Sequence, residues 1–177
     1  TYERFRFWLH SNNRRQARRN IAHHYDLGND FYGLWLDQSM TYSSGLFRSG
    51  QEDLEKAQQQ KYAAIVDHIG AVPGDHVLEV GCGWGGFAEY AAKERGLRVT
   101  GLTISQAQFD FAQARMQRLG LSDRVEIKLQ DYRDEAGRYD GIASIEMFEA
   151  VGEKYWPAYF NMLHARLKPG GNATLQI

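Results

Sequence analysis

The sequence predicts an α/β fold, a mostly parallel sheet with helices on both faces. Three observations predict it. Short apolar runs alternate with helical patterns from residue 76 onward, as strands alternating with helices do in a parallel sheet. One of those runs, Val77 to Val80, leads straight into Glu79-Val80-Gly81-Cys82-Gly83-Trp84-Gly85-Gly86-Phe87, the layout of a buried strand that turns sharply into a helix. Before the series, Val72-Pro73-Gly74 stops a helical segment.

The elements follow in order. Ser11 to Ala22 is polar, arginine-rich and built of helix formers, and His23-His24-Tyr25-Asp26-Leu27-Gly28-Asn29-Asp30-Phe31-Tyr32 is dense in aromatic and turn residues. Residues 1–51 are therefore read as an N-terminal helical cap or lid, and 52–177 as the core. A helix is expected from Glu52 to Ile69, because Leu54, Ala57, Tyr62, Ile65 and Ile69 fall near one face. Then come a strand at 76–80, a helix at 85–95, a strand at 98–103, a helix at 105–119, strands at 124–129 and 139–145, a helix at 153–167 and a strand beginning at 172. The chain starts without methionine and closes on the strand-like Ala173-Thr174-Leu175-Gln176-Ile177. The expectation is a fragment whose last strands lie beyond it.

Bulk properties narrow the function classes. A chain of 177 residues with 43% hydrophobic content fills one core. A net charge of −1 gives no general case for nucleic-acid binding. Arg14, Arg15, Arg18 and Arg19 cluster on one face of the first helix, which fits either attraction to anionic lipid headgroups or an ordinary solvated face. No apolar run approaches the roughly 20 residues that span a bilayer. With Cys82 alone, no internal disulfide and no cysteine-rich zinc site can form, which fits a cytoplasmic setting. His23 and His24 point apart as helix neighbours and no other set has ligand spacing, so no metal is expected.

The glycine loop suits a nucleotide-like cofactor, since glycine permits positive φ and close backbone approach. An NAD enzyme would usually carry an acid at the end of the second strand, where this chain has Thr103. That leaves Glu79, at the end of the first strand, as a partner for a charged cofactor. A carboxylate there suits a cationic ligand such as S-adenosylmethionine, with its ammonium and sulfonium, better than a pyrophosphate. A solvated strand-end acid is the alternative.

Six segments then carry a resemblance: His24 to Tyr32, Met40-Thr41-Tyr42-Ser43-Ser44, Glu79 to Gly86, Gly101-Leu102-Thr103-Ile104-Ser105, Gln130-Asp131-Tyr132-Arg133-Asp134 and Met147-Phe148-Glu149. In order and spacing they resemble the cyclopropane-fatty-acid synthase family, which includes the mycolic-acid cyclopropane synthases. The resemblance implies a Rossmann-like class I methyltransferase that uses S-adenosylmethionine to alkylate the double bond of an unsaturated acyl chain, commonly on a membrane phospholipid. It implies contact with the inner face of the membrane from the cytoplasm, and a homodimer is compatible with it. By motif, Tyr42 and Ser43 line the cofactor pocket, Gly81 and Gly83 admit the methionine part, Thr103, Ile104 and Gln108 hold the ribose, Asp131 and Tyr132 meet the adenine, and Ile145 forms apolar floor. Tyr25, Phe31, Tyr32 and Phe148 are candidates to stabilise a carbocation by their ring faces. Bicarbonate is the expected base, with Glu149 and Ser44 as catalytic residues that hold it. The product is then a cyclopropane or a methyl-branched chain. Rival readings are methyl transfer to another small molecule and a non-catalytic lipid-binding relative.

Four positions depart from the family pattern. Ser44 stands where many members have cysteine, Glu146 where glycine is common, Ala150 where histidine follows the glutamate, and Gln176, by ungapped counting, where a histidine ligand is expected. These departures put the anion site in question.

Overall fold

The computed structural model describes residues 29–177; the arginine cluster, His23, His24 and Tyr25 lie outside the described residues. Ten elements frame the site: α1 (Asn29–Gly33), α2 (Leu54–Ile69), β1 (His76–Val80), α3 (Gly86–Glu94), β2 (Arg98–Thr103), α4 (Gln106–Arg118), β3 (Val125–Leu129), β4 (Tyr139–Ile145), α5 (Trp156–Arg166) and β5 (Leu167–Gln176). The strands form one sheet in the order β3-β2-β1-β4-β5. Every pairing is parallel. After β3 the chain crosses to the other side of β1, so the crevice outside the carboxyl ends of β1 and β4 is a switch point where ligands bind in such sheets.

Local chemistry sets the helix ends. Asp53 caps α2, its side chain accepting from the Lys56 N–H at 2.7 Å. Gly70 closes the same helix in the left-handed region at φ 75° and donates to Val66 and Asp67 carbonyls. Ser105 caps α4 by accepting from the Gln108 N–H.

The sheet is covered on both faces, and β1 reads as a nearly continuous apolar run because both sides are buried. Val77, Val99 and Ala143 meet Tyr62, Val66 and Ile69 of α2 and Phe87, Ala88 and Ala91 of α3 on one face. Leu78, Val80, Leu102 and Ile142 meet Tyr159, Met162 and Leu163 of α5 on the other. Alternation along β1 therefore puts Glu79 on the α2 side, where it is only 3% exposed.

Two boundaries differ from the expectation. The helix expected from 153 begins at Trp156, after a 3₁₀ turn at Glu153–Tyr155, and Pro157 sits in its first turn, where a missing N–H is harmless. The final strand begins at Leu167 rather than 172. Leu167 pairs with Tyr139, the register then slips, and pairing resumes at Asn172 opposite Gly141. Lys168 to Gly171 is thus a bulge within one strand, with Gly170 at φ 82°.

Gly141 shows how tightly α2 lies on the sheet: a Cβ there would stand 2.1 Å from Ile69 Cγ2. Gly141→Ala is expected to destabilise the protein by about 1–3 kcal/mol in denaturant melts. Ile69→Ala removes the clashing methyl, so the double variant should cost clearly less than the sum of the singles. Strict additivity would show that the two residues do not oppose each other.

Candidate functional site

A cleft of about 1120 Å³, counting its open mouth, lies over the carboxyl ends of the strands. Its floor is the β1 end and the loop that follows. Glu79 is the last core-facing acid of β1, and Gly81, at φ 85°, turns the chain where a Cβ would come 2.8 Å from Met147 Cγ. The N–H groups of Gly81 and Cys82 both donate to the Leu102 carbonyl, at 3.0 and 2.8 Å, tying the loop to the end of β2. Gly83 follows at φ 51°. Trp84 is buried, its Nε1 donates to Asn29 Oδ1 at 2.7 Å, and its ring lies 5.0 Å from that of Tyr32, so α1 rests on the glycine loop.

The walls come from the other strand ends. Thr103 Oγ1 donates to Gln108 Oε1 at 2.8 Å, which occupies the carboxamide oxygen and leaves Nε2 as what Gln108 can offer a ligand. Ile104 follows Thr103 along the same wall. At the β3 end, Asp131 is buried and receives Arg133 Nε at 2.8 Å and Nη2 at 2.6 Å, a bidentate pair. Tyr132 is half-buried, and that burial raises its hydroxyl pKa. Ile145 and Glu146 close the β4 side.

The roof is residues 40–43, and α2 holds it. Tyr62 Oη shares a 2.5 Å hydrogen bond with Thr41 Oγ1, Gln58 Nε2 donates to the Ser43 carbonyl at 2.7 Å, and Lys61 Nζ donates to Ser43 Oγ at 2.6 Å. Tyr42 is partly exposed, with its ring 5.4 Å from both Tyr32 and Trp35. Met40, at φ 53°, and Glu146, at φ 45°, are the two non-glycine residues with positive φ among those described, and both line the cleft. Such backbone costs on the order of 1–3 kcal/mol and concentrates at functional sites.

All eleven residues expected to meet a cofactor, Tyr42, Ser43, Glu79, Gly81, Gly83, Thr103, Ile104, Gln108, Asp131, Tyr132 and Ile145, line this one cleft. The two expected catalytic residues stand apart from its lining. Ser44 is exposed at the mouth, bonded to Glu146 and Gln176. Glu149 is exposed on the 3₁₀ turn Phe148–Ala150. Among the described residues no group of three or more His, Cys, Asp or Glu could hold a metal.

Electrostatics centre on Glu79. Burial raises its carboxyl to about 8, against the pull of the Lys61 and Arg115 charges. Its Oε2 is buried without a hydrogen-bond partner. Burial likewise lowers the Lys61 ammonium to about 8, against Glu146, Asp37 and Glu79. A buried acid with a free oxygen at the bottom of a cleft is suited to a cation that brings its own charge.

Gln58, Lys61 and Arg115 were not singled out by the sequence reading. A signal exists for the first two: they fall beside Tyr62 and Ile65 on the buried side of a helix, where polar side chains need partners. Arg115 is 7% exposed, donating to Glu89 Oε2 at 2.6 Å, to the Ser39 carbonyl at 2.6 Å and to the Trp84 carbonyl at 3.3 Å. It joins α4, α3, the roof and the loop.

The profile of one family, described as mycolic acid cyclopropane synthetase, matches residues 12–177. The chain belongs to that family. It is 44% identical over 170 residues to tuberculostearic acid methyltransferase UfaA1 of Mycobacterium tuberculosis, covering 92% of this chain and 40% of that protein. It is 44% identical over 148 residues to the cyclopropane-fatty-acyl-phospholipid synthase of Escherichia coli K12, covering 84% and 37%. Its fold matches the crystal structure of mycolic acid cyclopropane synthase CmaA1 complexed with SAH and CTAB at a TM-score of 0.82 and 31% identity, over 89% of this chain and 55% of that one. The chain thus spans about two fifths of the length of these curated relatives. The family's parallel sheet with its crevice at the switch point is the architecture described above.

Removing Arg115 strands Glu89 and two carbonyls. Arg115→Met is expected to cost about 3–5 kcal/mol in chemical melts, and Glu89→Gln, which keeps an acceptor, distinctly less. Equal small losses would mean the guanidinium is not the joint between loop and roof.

Proposed function

We propose that this chain is the S-adenosylmethionine-binding core of an enzyme that transfers a methyl or methylene group to the double bond of an unsaturated fatty acyl chain on a phospholipid, giving a cyclopropane or methyl-branched acid. The buried Glu79 carboxyl with its unpartnered oxygen, beneath a cleft lined by every expected cofactor residue, carries the reading. The family of lipid-directed enzymes supports the acceptor class.

The donor set fits this cofactor. Glu79 faces its positive end, the bare turn at Gly81 and Gly83 takes the methionine part, Thr103, Ile104 and Gln108 take the ribose, and Asp131 and Tyr132 flank the adenine. Asp131 does so with Arg133 bound to both its oxygens. Tyr42, Ser43 and Ile145 close the pocket toward the acceptor. Bound there, S-adenosylmethionine supplies an electrophilic methyl group. An alkene is a weak nucleophile, so the chain's task is to align the two and keep water from the cation that follows. Residues 29–51 act as the described part of a lid. Phe31, Leu34, Trp35 and Phe47 are exposed on it and suit an acyl chain drawn from the cytoplasmic face of a membrane. No described helix is long and apolar enough to cross one.

Intact-lipid mass spectrometry with a trideuteromethyl donor tests the reaction. Loss of a proton from the transferred carbon, as ring closure requires, leaves two labels on the chain, and loss from a chain carbon leaves three; unlabelled lipid with turnover on another acceptor would overturn the lipid reading. The site predicts its own pH dependence. With its carboxyl at about 8, Glu79 is largely protonated at neutral pH in the empty cleft and must lose that proton to pair with a cation. Donor affinity should therefore rise with pH up to about 8, by at most about tenfold per unit, and then level. Loss of charge from Lys61 in the same range acts in the same direction. Calorimetry in buffers of different ionisation enthalpy should show proton release. Glu79→Gln should remove most of that release, leaving only the part due to Lys61, and weaken the donor by roughly ten- to a hundredfold. Proton uptake, or an affinity flat across this range, would exclude Glu79 as the cation's partner.

A further inference from the structure

We infer that Glu146 supplies the carboxylate that accepts the proton in this site, occupying the position a bound bicarbonate would otherwise take. The inference rests on the proposed attack on an alkene. Glu146 sits at the end of β4 with φ 45°, and its N–H donates to the Gln176 carbonyl at 2.9 Å, which pins it to β5. Its Oε1 receives the Ser44 N–H at 2.8 Å, the Ser44 hydroxyl, and Gln176 Nε2 at 2.9 Å. Gln176 Nε2 also reaches Ser44 Oγ at 3.2 Å. None of these bonds uses Oε2.

This arrangement leaves no fit for a second anion. Of the residues expected around bicarbonate, Glu149, Ser44 and Gln176 at the place of a histidine ligand, the two that can donate, Ser44 and Gln176, already turn their donors onto Glu146. Gln176 has two N–H bonds to give, and Glu146 and Ser44 account for both. An anion placed against them would also stand beside a like charge.

The other carboxylates lining the cleft are engaged elsewhere. Glu79 lies buried beneath the glycine loop, and Asp131 is held through both oxygens by Arg133. Ser44 and Gln176 are neutral, and neither can take a proton from carbon. Glu146 is therefore the carboxylate lining the cleft that no cation or buried site claims, and its donors fix Oε1 while none of them uses Oε2. The left-handed backbone at a glutamate is the sign of what the position is kept for: glycine would adopt it without strain, but would bring no carboxylate.

The step balances. The alkene's π pair forms the new C–C bond while the S–CH3 pair stays with sulfur, leaving a cation on the adjacent chain carbon. Oε2 of Glu146 then takes a proton from carbon. The released C–H pair either closes the three-membered ring or forms a double bond.

The test uses the intact protein with Glu146→Gln and Glu146→Gly. In carbon-dioxide-free buffer the unaltered protein should turn over as fast as with added bicarbonate. Glu146→Gln should keep its fold and its affinity for S-adenosylmethionine while turnover falls about a hundredfold or more. Glu146→Gly, which removes the carboxylate and relieves the backbone, should lose turnover similarly but regain part of it with millimolar bicarbonate. A readout independent of turnover is the NMR line of 13C-bicarbonate, which should broaden with Glu146→Gly and not with the unaltered protein. Broadening by the unaltered protein, a turnover that depends on bicarbonate, or full turnover in Glu146→Gln would each overturn the inference. If the unaltered protein binds the donor but labels no lipid, the functional reading fails, and the 13C line still decides which anion the site accepts.

Discussion

A carboxyl group taken out of water at the end of the central strand is the constraint around which the rest is arranged. Glu79 lies at the meeting point of β1, β2 and β4, with one oxygen lacking a partner. Its neighbours answer the charge from a distance: Lys61 from α2 and Arg115 from α4 both favour its ionised form. That requirement explains why α2, an amphipathic helix whose inner face packs on the sheet, buries a lysine. It also explains why the loop after β1 is bare, since side chains there would fill the space above the acid.

Much of this was legible in the sequence. Periodicity located every strand and helix of the core, and the glycine stretch after an apolar run located the cleft, because both signals are local. The failures came where local signals conflict with pairing. Pro169-Gly170-Gly171 reads as a turn, yet β5 runs through it as a bulge because Leu167 still has Tyr139 to pair with. The eleven cleft residues were found because the family motifs mark them; most sit at or just beyond a strand end, whereas Tyr42 and Ser43 come from the roof and Gln108 from α4. Gln58, Lys61 and Arg115 were missed because their partners are 15, 18 and 76 residues away in sequence, and only the folded chain brings them together.

The anion site shows the same limit from the other side. Ser44, Glu146 and Gln176 each stand out in the sequence as separate departures from a pattern. The register of β4 against β5, which sets Ile145 opposite Gln176, turns them into one hydrogen-bonded group. Asp131 is the converse case: an acid that looked available to a ligand is shared with its near neighbour Arg133. Three isolated oddities became a unit, and one apparent free acceptor became half of a pair.

The cleft's two halves are anchored differently. Its floor belongs to the sheet and cannot shift without breaking strand pairs, whereas its roof hangs from side chains, Gln58, Lys61 and Tyr62 of α2 and, at the Ser39 carbonyl, Arg115 of α4. Under the proposed function the donor rests mainly on the strand ends, while the four roof residues, Tyr42 and Ser43 among them, lie between donor and acceptor. On that reading, revising the strip would alter which oily substrate is admitted while leaving the floor that grips the methyl source in place.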